Sequence, residues 1–441
     1  MFRSLYLTNR LFIAVGFCVF LFLIGFAYPV ALALAKVSVL VLVVLLVVDL
    51  LMLYQTKEGL RGSRDCAEKL SNGDENPIYV HLENRYSFAV QVKVIDETPF
   101  QFQLRNLEFR DTIKARANRV TTYHLRPTKR GEYKFGALNV FVSALVGFAL
   151  RRYIFAQDKV VPVYPSYLQM RQYELMAISD RLTELGIKKI RKIGHNREFE
   201  QIKEYVSGDD IRTINWKATA RRNSLMVNHY QDEKSQQVYS VIDKGRTMKM
   251  PFEGLSLLDY AINASLVISN IALVKEDKAG IITFSHKIGT ILPAGKVQAQ
   301  MRNILETLYN QKTNFKESDF DTLYINIKRK ISQRSLLLLY TNFESLSSME
   351  RQLPYLKRLA QNHVLVVIFF ENTELSTLIN KPTTNTEEIY VKAIAEKFSL
   401  EKKQIVKELQ RYGIYSILTA PQHLTTNTVN KYLELKARGI I

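Results

Sequence analysis

The sequence contains little cysteine and little histidine. Cys18 and Cys66 are its two cysteines among 441 residues, and the seven histidines are scattered, with no pair at the spacing of a helical metal site. Two cysteines give no disulfide framework that would support an extracellular body. A zinc site is not expected either, because no cysteine lies beside a histidine.

The motifs of common hydrolases are missing as well. The chain has no Gly-x-x-x-x-Gly-Lys-Ser/Thr loop for nucleotide phosphates and no Gly-x-Ser-x-Gly nucleophile turn. We therefore expect ATP hydrolysis only from a partner, and we predict that the chain is not an enzyme. Basic strips interleaved with stacking aromatics are also missing, so nucleic acid is not among the expected partners.

Negative charge is scarce relative to positive charge. Asp and Glu number 42 against 61 Lys and Arg, which gives a formal net charge of +19. Such an excess predicts acidic partners. Anionic membrane lipid is the simplest of them once a membrane anchor is inferred.

The strongest positive signal is a long apolar stretch near the N-terminus. Residues 11–35 carry no charged side chain, and residues 37–54 carry only Asp49. A bilayer core of roughly 30 Å needs about 20 apolar residues as a helix, so this stretch can cross twice, with a turn between Pro29 and Lys36. A signal peptide is the alternative, but the stretch is too long and no small-residue cleavage site ends it. We predict a transmembrane hairpin over residues 1–56, with helices at about 11–28 and 34–54.

Basic residues flank both ends of this hairpin. Arg3 and Arg10 precede it, and three more bases follow it between residues 57 and 64. Because cytoplasmic loops are rich in Lys and Arg, both ends are predicted to face the cytoplasm. The expected localisation is the inner (cytoplasmic) membrane, with two passes and the soluble body in the cytoplasm. Asp49 is expected near the cytoplasmic end, where solvent or a lysine can reach it.

Residues 66–165 show the period-two alternation of short strands. Alternating side chains occur at residues 78–82, 88–94, 100–104, 119–125 and 132–142. Polar turns separate these runs, which predicts antiparallel strands packed as a β-sandwich. No catalytic cluster falls within them, so this domain is expected to be a spacer or a docking surface.

The connecting segment, residues 166–236, holds the most distinctive run of the chain at residues 197–221. Charged and aromatic side chains recur there at fixed spacings: Glu198, Phe199, Tyr205, Gly208, Asp209, Asp210, Arg212, Trp216, Lys217 and Arg221. We expect a structural network of helix caps and buried ion pairs, with Trp216 as its packing anchor. The alternative is a hydrolase site built from Asp209, Asp210 and Lys217, although no nucleophile with an oriented base lies nearby.

Residues 237–441 alternate apolar runs with helix-period stretches, as doubly wound α/β domains do. The predicted strands are residues 238–242, 280–284, 336–340, 364–370 and 414–418. Such folds bind ligands at the carboxyl ends of their strands, so chemistry is expected just after each strand.

The signature of a bacterial family called domain of unknown function 58 closely resembles the run from Glu198 to Arg221, E-F-x-x-I-K-E-Y-x-x-G-D-D-I-R-x-I-N-W-K-A-T-A-R. The turn from Arg126 to Tyr133 fits the same family. The resemblance implies that residues 237–441 form a von Willebrand factor A-like domain. It also implies MoxR-type AAA+ ATPases as partners, because family members are typically encoded beside them and are thought to act with them in the assembly or maturation of other proteins.

The run Asp-Lys-Gly-Arg-Thr at residues 243–247 stands where von Willebrand factor A domains commonly show Asp-x-Ser-x-Ser, the centre of a metal-ion-dependent adhesion site. By this resemblance the metal ligands are Asp243, Thr247 and Thr313, and the cation is Mg²⁺. The site is degenerate, because Gly245 has no side-chain oxygen and Asn342 stands where a second aspartate is usual. The alternative is that Asp243 caps a loop or pairs with a base, and that the domain docks a partner without metal.

These features predict a multidomain, non-enzymatic interaction protein. It would comprise a transmembrane helical hairpin, a β-sandwich and a C-terminal α/β von Willebrand factor A-like doubly wound domain that docks a MoxR-type AAA+ ATPase and client proteins. Two alternatives stay open from the sequence: a metal-dependent adhesion module with an intact cation site, and a hydrolase using the Asp209 and Asp210 region.

Overall fold

The structure is a computed structural model of the 441-residue chain, and it describes all residues except 1–3, 105–106, 179–196, 208, 210, 233–234, 298 and 383–384. The chain divides into two compact units, Met1–Tyr164 and Pro165–Ile441. Both units contain β-sheets, and the first also contains the apolar N-terminal helices. The protein is therefore multidomain, as predicted.

Two apolar helices lie near the N-terminus, α1 (Asn9–Gly25) and α2 (Pro29–Tyr54). Helix α2 is long and apolar enough to cross a membrane, and only 6% of its most apolar stretch is buried. It begins earlier than the predicted start near residue 34, because Pro29 occupies its first turn. Proline lacks the N–H that would be unsatisfied at this position, so it starts the helix rather than breaking it.

Short strands make up the rest of the first unit. They are β1 (Leu5–Leu7), β2 (Leu60–Cys66), β3 (Leu70–Ser71), β4 (Asn76–Asn84), β5 (Val90–Asp96), β6 (Glu108–Ile113), β7 (Asn118–Leu125), β8 (Gly131–Phe135), β9 (Leu138–Ser143), β10 (Ala149–Phe155) and β11 (Lys159–Tyr164). The described strands form sheets in the orders β1-β10-β9-β5-β6, β3-β11-β8 and β2-β4-β7. Alternate residues of β4 and β5 enter one buried core, which is the period-two pattern that the sequence shows.

Two expectations for this unit are wrong. Residues 100–104 are not a strand: Phe100–Phe102 form a 3₁₀ turn after Pro99, and Gln103 ends it at a φ of 53°. Phe100 is 85% exposed, so the alternation of Phe and Gln does not mark a buried sheet face. The sheets also begin before residue 66, because β1 precedes α1 and pairs antiparallel with β10.

Asp49 lies within α2 and is fully buried, contrary to the expectation that solvent or a lysine reaches it. Its Oδ2 atom accepts hydrogen bonds from the backbone N–H groups of Phe148, at 2.9 Å, and Ala149, at 3.0 Å. These two residues stand at the start of β10. The carboxylate therefore fastens α2 to a sheet of the same unit.

The second unit is built around a larger sheet. Its strands are β12 (Arg197–Glu204), β13 (Met226–Asp232), β14 (Gln237–Asp243), β15 (Pro251–Phe252), β16 (Leu255–Ser256), β17 (Lys278–Phe284), β18 (Ile288–Gly295), β19 (Leu336–Tyr340), β20 (Val364–Phe370) and β21 (Tyr415–Thr419). Its helices are α3 (Tyr167–Ile178), α4 (Trp216–Arg222), α5 (Leu257–Val274), α6 (Gln300–Tyr309), α7 (Phe320–Lys330), α8 (Leu346–Asn362), α9 (Thr373–Asn380), α10 (Thr386–Arg411) and α11 (Leu424–Ala437).

Six strands pair in the order β18-β17-β14-β19-β20-β21, and all of these pairings are parallel except that of the edge strand β18. The five strands predicted from apolar runs are all confirmed. Val238 and Ile242 of β14 enter a core with α5, α6 and α11, whereas Tyr239 and Val241 enter a second core with α7, α8 and α10. The sheet is therefore covered by helices on both faces. Helix α5 is apolar throughout but mostly buried, as a core helix is.

Replacing Asp49 by leucine should loosen the first unit. Asp49→Leu leaves the N–H groups of Phe148 and Ala149 buried without their acceptor, and each such loss costs about 1–3 kcal/mol. We expect the melting temperature of the full-length protein in lipid nanodiscs to fall by roughly 5 °C or more. Asp49→Asn keeps one accepting oxygen and should lose less.

The matched control is Leu51→Val on the same helix, since Leu51 is 65% exposed. We expect its melting temperature to equal that of the wild type. If the melting temperature of Asp49→Leu also equalled that of the wild type, the Asp49 carboxylate would not be the group that fastens α2 to β10.

Candidate functional site

A small cleft lies at the carboxyl ends of β14 and β19, where ligand sites of parallel sheets are expected. Strand β14 ends at Asp243, and Thr341 and Asn342 follow β19 directly. The cleft has a volume of about 130 Å³, and its lining includes Asp243, Thr247, Ser318, Thr341 and Asn342. We call it the strand-end cleft. It brings together three of the positions that the sequence singled out, Asp243, Thr247 and Asn342.

The Asp243 side chain is 1% exposed, and both of its oxygens are engaged by donors of the protein itself. Oδ1 accepts the Gly245 N–H at 2.8 Å and the Ser318 hydroxyl, and Oδ2 accepts the Thr341 hydroxyl at 2.7 Å. Burial raises the pKa of the Asp243 carboxyl, and the three hydrogen bonds oppose that rise. The carboxylate thus joins three loops at the edge of the sheet.

Ser318 occupies the space that a serine at position 245 would need. A Cβ built on Gly245 would lie 2.1 Å from the Ser318 Oγ atom and 3.1 Å from Asp243 Oδ1. A side chain at position 245 is therefore excluded unless Ser318 moves. The hydroxyl that the sequence lacks at position 245 is supplied from residue 318, which no sequence spacing indicated.

Thr313 is not among the residues that line the strand-end cleft. The neighbouring Asn314 instead donates its N–H to the Lys244 carbonyl at 3.0 Å, and its amide reaches Ser285. Within the described part of the chain, no group of three His, Cys, Asp or Glu side chains is placed to hold a metal ion. Of the predicted ligands, the structure gathers Asp243 and Thr247 in one cleft and leaves Thr313 outside it.

Lys402 of α10 lies beside the strand-end cleft. Its Nζ atom donates to Asn342 Oδ1 at 2.8 Å and to the Phe343 carbonyl. Burial lowers the pKa of Lys402 to about 8, and Glu344 opposes that decrease. The lysine therefore holds the loop that follows β19, and Thr341 of the same loop donates to Asp243.

Charged side chains surround the strand-end cleft. Arg246 lies 3.9 Å from a carboxylate oxygen of Glu317 and 3.8 Å from one of Glu344, and more than half of its side chain is exposed. Arg351 of α8 lines the same cleft. Ion pairs this long and this exposed contribute little to stability, so the charges stay available to a partner.

The signature residues form an antiparallel pair of strands followed by a short helix. Glu198 and Phe199 lie in β12, which pairs with β13, and the Tyr205 N–H donates to the Leu225 carbonyl. Asp209 accepts from Lys203 at 3.0 Å and from the Val206 N–H at 3.1 Å. Gly208 and Asp210 lie outside the described residues, and the side chains of Arg212, Lys217 and Arg221 are exposed.

Trp216 is not the expected packing anchor. It is 69% exposed, because α4 is only seven residues long and buries none of its side chains. The N-cap of this helix is Asn215, whose side chain accepts the Ala218 N–H at 3.0 Å. The signature thus shows an ion pair at Asp209 and an asparagine cap.

Part of this chain resembles known proteins. Residues 201–377 match the family model described as Protein of unknown function DUF58. Residues 201–377 belong to the DUF58 family. YeaD, an uncharacterized protein of Bacillus subtilis (strain 168), is 24% identical over 211 residues, which make up 45% of this chain and 51% of YeaD. The match spans about half the length of this curated relative.

Solved structures resemble parts of the chain at low similarity. The conserved hypothetical protein BatB from Bacteroides thetaiotaomicron is 13% identical with a TM-score of 0.30, over 46% of this chain and 100% of BatB. The CARDB domain of PF1109 from Pyrococcus furiosus is 14% identical with a TM-score of 0.17, over 24% of this chain and 94% of that domain. At these TM-scores neither structure bears on the fold or the function of this chain.

The contact between residues 245 and 318 can be tested by a double-mutant cycle. Gly245→Ala places a Cβ against the Ser318 Oγ atom and should destabilise the full-length protein by about 1–3 kcal/mol, the usual cost of overpacking. Ser318→Ala removes the obstructing oxygen, so in the double variant the loss should fall short of the sum of the single losses by about 1 kcal/mol or more. Chemical denaturation of the four proteins measures this. Strictly additive losses would contradict the steric account.

The buried amine of Lys402 should make stability depend on pH. The pKa of a lysine in the unfolded chain is about 10.4, whereas burial lowers the pKa of Lys402 in the folded chain to about 8. Between these values the unfolded chain binds more protons, so stability rises with pH from about 8 to about 10. We expect the melting temperature of the wild type to rise relative to that of Lys402→Met between pH 7 and pH 10.

Lys403→Met is the matched control, because Lys403 is exposed and adjacent. Its melting temperature should follow the wild type across this pH range. A constant difference between the wild type and Lys402→Met would show that Lys402 titrates as an ordinary surface lysine.

Proposed function

We propose that this DUF58 protein is a membrane-anchored, non-enzymatic interaction protein that docks a MoxR-type AAA+ ATPase and client proteins at the cytoplasmic face of the inner membrane. The family resemblance names the ATPase. The strand-end cleft and its charged rim, Arg246, Glu317, Glu344 and Arg351, are the proposed docking face.

The engagement of the Asp243 carboxylate carries this proposal. Its two oxygens already accept from Gly245, Ser318 and Thr341, so the carboxylate is committed to holding loops. A cation would have to displace these donors to bind Asp243, and Gly245 offers no further side-chain oxygen. A structural role for Asp243 therefore favours docking without metal over a metal-dependent adhesion site.

The size of the cleft favours a protein partner over a small substrate. Its volume of about 130 Å³ is well below the roughly 300–1,000 Å³ of sites that enclose small molecules. Its rim carries charges of both signs on exposed side chains. Charges placed in this way steer partners and select among them, more than they add affinity.

The remaining parts of the proposal concern architecture and placement. A mostly parallel sheet covered by helices on both faces supports a von Willebrand factor A-like assignment for the second unit, and the antiparallel sheets around one core support a β-sandwich in the first. The apolar, exposed α2, preceded by α1, supports a two-pass hairpin. The bases that flank the hairpin favour the cytoplasmic side for both ends.

Reversing the positive charge on the rim should weaken docking. In Arg246→Glu/Arg351→Glu, both arginines of the cleft become acidic, and a partner surface that complements them is repelled. We expect the amount of MoxR-type ATPase that co-purifies from native membranes, quantified by mass spectrometry, to fall about tenfold or more. Both positions are exposed, so the melting temperature should hardly change.

The matched control is Arg334→Glu. Arg334 is also exposed, but it precedes β19 and so lies at the opposite edge of the sheet. This variant should retain the ATPase at the wild-type level. Failure of the wild type to retain any MoxR-type ATPase would refute the proposed partner, and equal losses in both variants would refute the docking face.

A further inference from the structure

The second unit contains a larger cleft, which is apolar and adjoins the strand-end cleft. Its volume is about 290 Å³, and its apolar lining includes Met250, Phe252, Phe370, Leu375 and Phe398. This volume is close to the lower limit, about 300 Å³, of pockets that enclose small molecules. Apolar lining with a few polar groups is also typical of such pockets. We call it the Lys402 cleft, because the buried amine of Lys402 is part of its lining.

The Lys402 amine faces this cleft without a carboxylate partner. Two of its three N–H donors go to neutral oxygens, those of Asn342 and Phe343. Throughout the described part of the chain, no carboxylate oxygen lies within 4.0 Å of its Nζ atom. A buried ammonium is costly unless an anion accompanies it. One N–H therefore remains to bind an anionic group.

Asn342 offers a second donor at the same place. A lysine amine can only donate, so the oxygen of the Asn342 amide must face Lys402 and its NH₂ group must point elsewhere. Among the hydrogen bonds of the described residues, none uses this NH₂ group, and Asn342 lines the cleft. An amine and an amide can together satisfy the two oxygens of one carboxylate.

Among the described residues, the other charges of the lining form no direct ion pair with Lys402, although Glu344 attracts it from a distance. Glu344 and Glu371 line the cleft, but Glu344 is exposed and lies 3.8 Å from Arg246. Lys403, which is exposed, adds a second positive charge to the lining. Because burial lowers the pKa of Lys402 only to about 8, the amine is mostly protonated at pH 7. The cleft thus combines an apolar body with the buried, protonated amine of Lys402.

We propose that the Lys402 cleft binds a medium-chain fatty carboxylate, with its alkyl chain among Phe252, Phe370 and Phe398 and its carboxylate on Lys402 and Asn342. A single acidic group matches the single buried amine. A phosphate or sulfate head would need a forked arginine or more donors than these two side chains supply. The two clefts share Asn342 and Glu344, but carboxylate binding does not require docking of an ATPase, so either proposal can fail without the other.

Comparing the binding of octanoate with that of 1-octanol separates the effect of the negative charge of the ligand from the effect of its alkyl chain. The full-length protein in nanodiscs is dialysed against each radiolabelled compound at pH 7, and binding to empty nanodiscs is subtracted. The wild type should bind octanoate about tenfold or more tightly than 1-octanol, the effect of a charge-assisted hydrogen bond. Lys402→Met should lose that preference and keep its affinity for 1-octanol, whereas Lys403→Met should resemble the wild type.

Because Lys402 also holds the loop after β19, replacing it could disturb that loop. A second variant therefore retains Lys402. Leu375→Trp narrows the cleft from α9 and should weaken the binding of both compounds about tenfold or more, since the alkyl chain loses its space. Equal affinity of the wild type for octanoate and 1-octanol would overturn the proposal. So would the absence of saturable octanoate binding, or octanoate binding that both Lys402→Met and Leu375→Trp leave intact.

Discussion

The hydrogen bonds accepted by the buried Asp243 carboxylate determine the edge of the main sheet. A carboxylate withdrawn from water is costly unless donors surround it. Here the donors come from three separate segments: the turn after β14, the segment before α7 and the first residue after β19. These segments are far apart in sequence, and they meet because each contributes one donor to the same side chain. The shape of the strand-end cleft, and the spacing of the charges around it, follow from that requirement.

Other buried carboxylates in both units also need hydrogen-bond donors from distant segments. Each of three further buried aspartates accepts from segments that are distant in the chain: Asp49 from Phe148 and Ala149, Asp96 from Arg64 at 2.5 Å and Tyr123 at 2.5 Å, and Asp277 from Tyr432 at 2.5 Å and Lys436 at 2.7 Å. Apolar packing alone would leave the register of these segments less defined, since it lacks direction. A paired buried carboxylate contributes little net stability, and it penalises arrangements in which its donors are absent. Each of these buried carboxylates therefore joins segments that are distant in the chain.

The apolar runs of the sequence correctly predicted the parallel strands of the main sheet. Strands β14, β17, β19, β20 and β21 were expected because buried parallel strands need continuous apolar runs, and Asp243 was expected at a ligand-binding position because it ends such a strand. The failures have local and tertiary causes. Phe100 and Phe102 alternate like a strand but follow Pro99, Trp216 lies in a helix that buries nothing, and Lys402 is indistinguishable in sequence from its exposed neighbour Lys403. Ser318 likewise reaches Asp243 across 75 residues. The turn after Pro99 and the exposed α4 are local features, whereas the positions of Lys402 and Ser318 depend on tertiary contacts that sequence period does not encode.

The loop after β19 connects the two clefts of the second unit. Thr341 donates to Asp243 on one side of this loop, and Asn342 and Phe343 accept from Lys402 on the other. A carboxylate ligand on Lys402 would share the amine that holds Asn342, and Asn342 also lines the strand-end cleft. Binding in the Lys402 cleft and docking on the charged rim would then bias the same three residues. Because such coupling is reciprocal, a partner that stabilises one arrangement of the loop would change the affinity for the carboxylate by the same factor. The two proposed sites are separate in chemistry, and this short loop is the element through which they would influence each other.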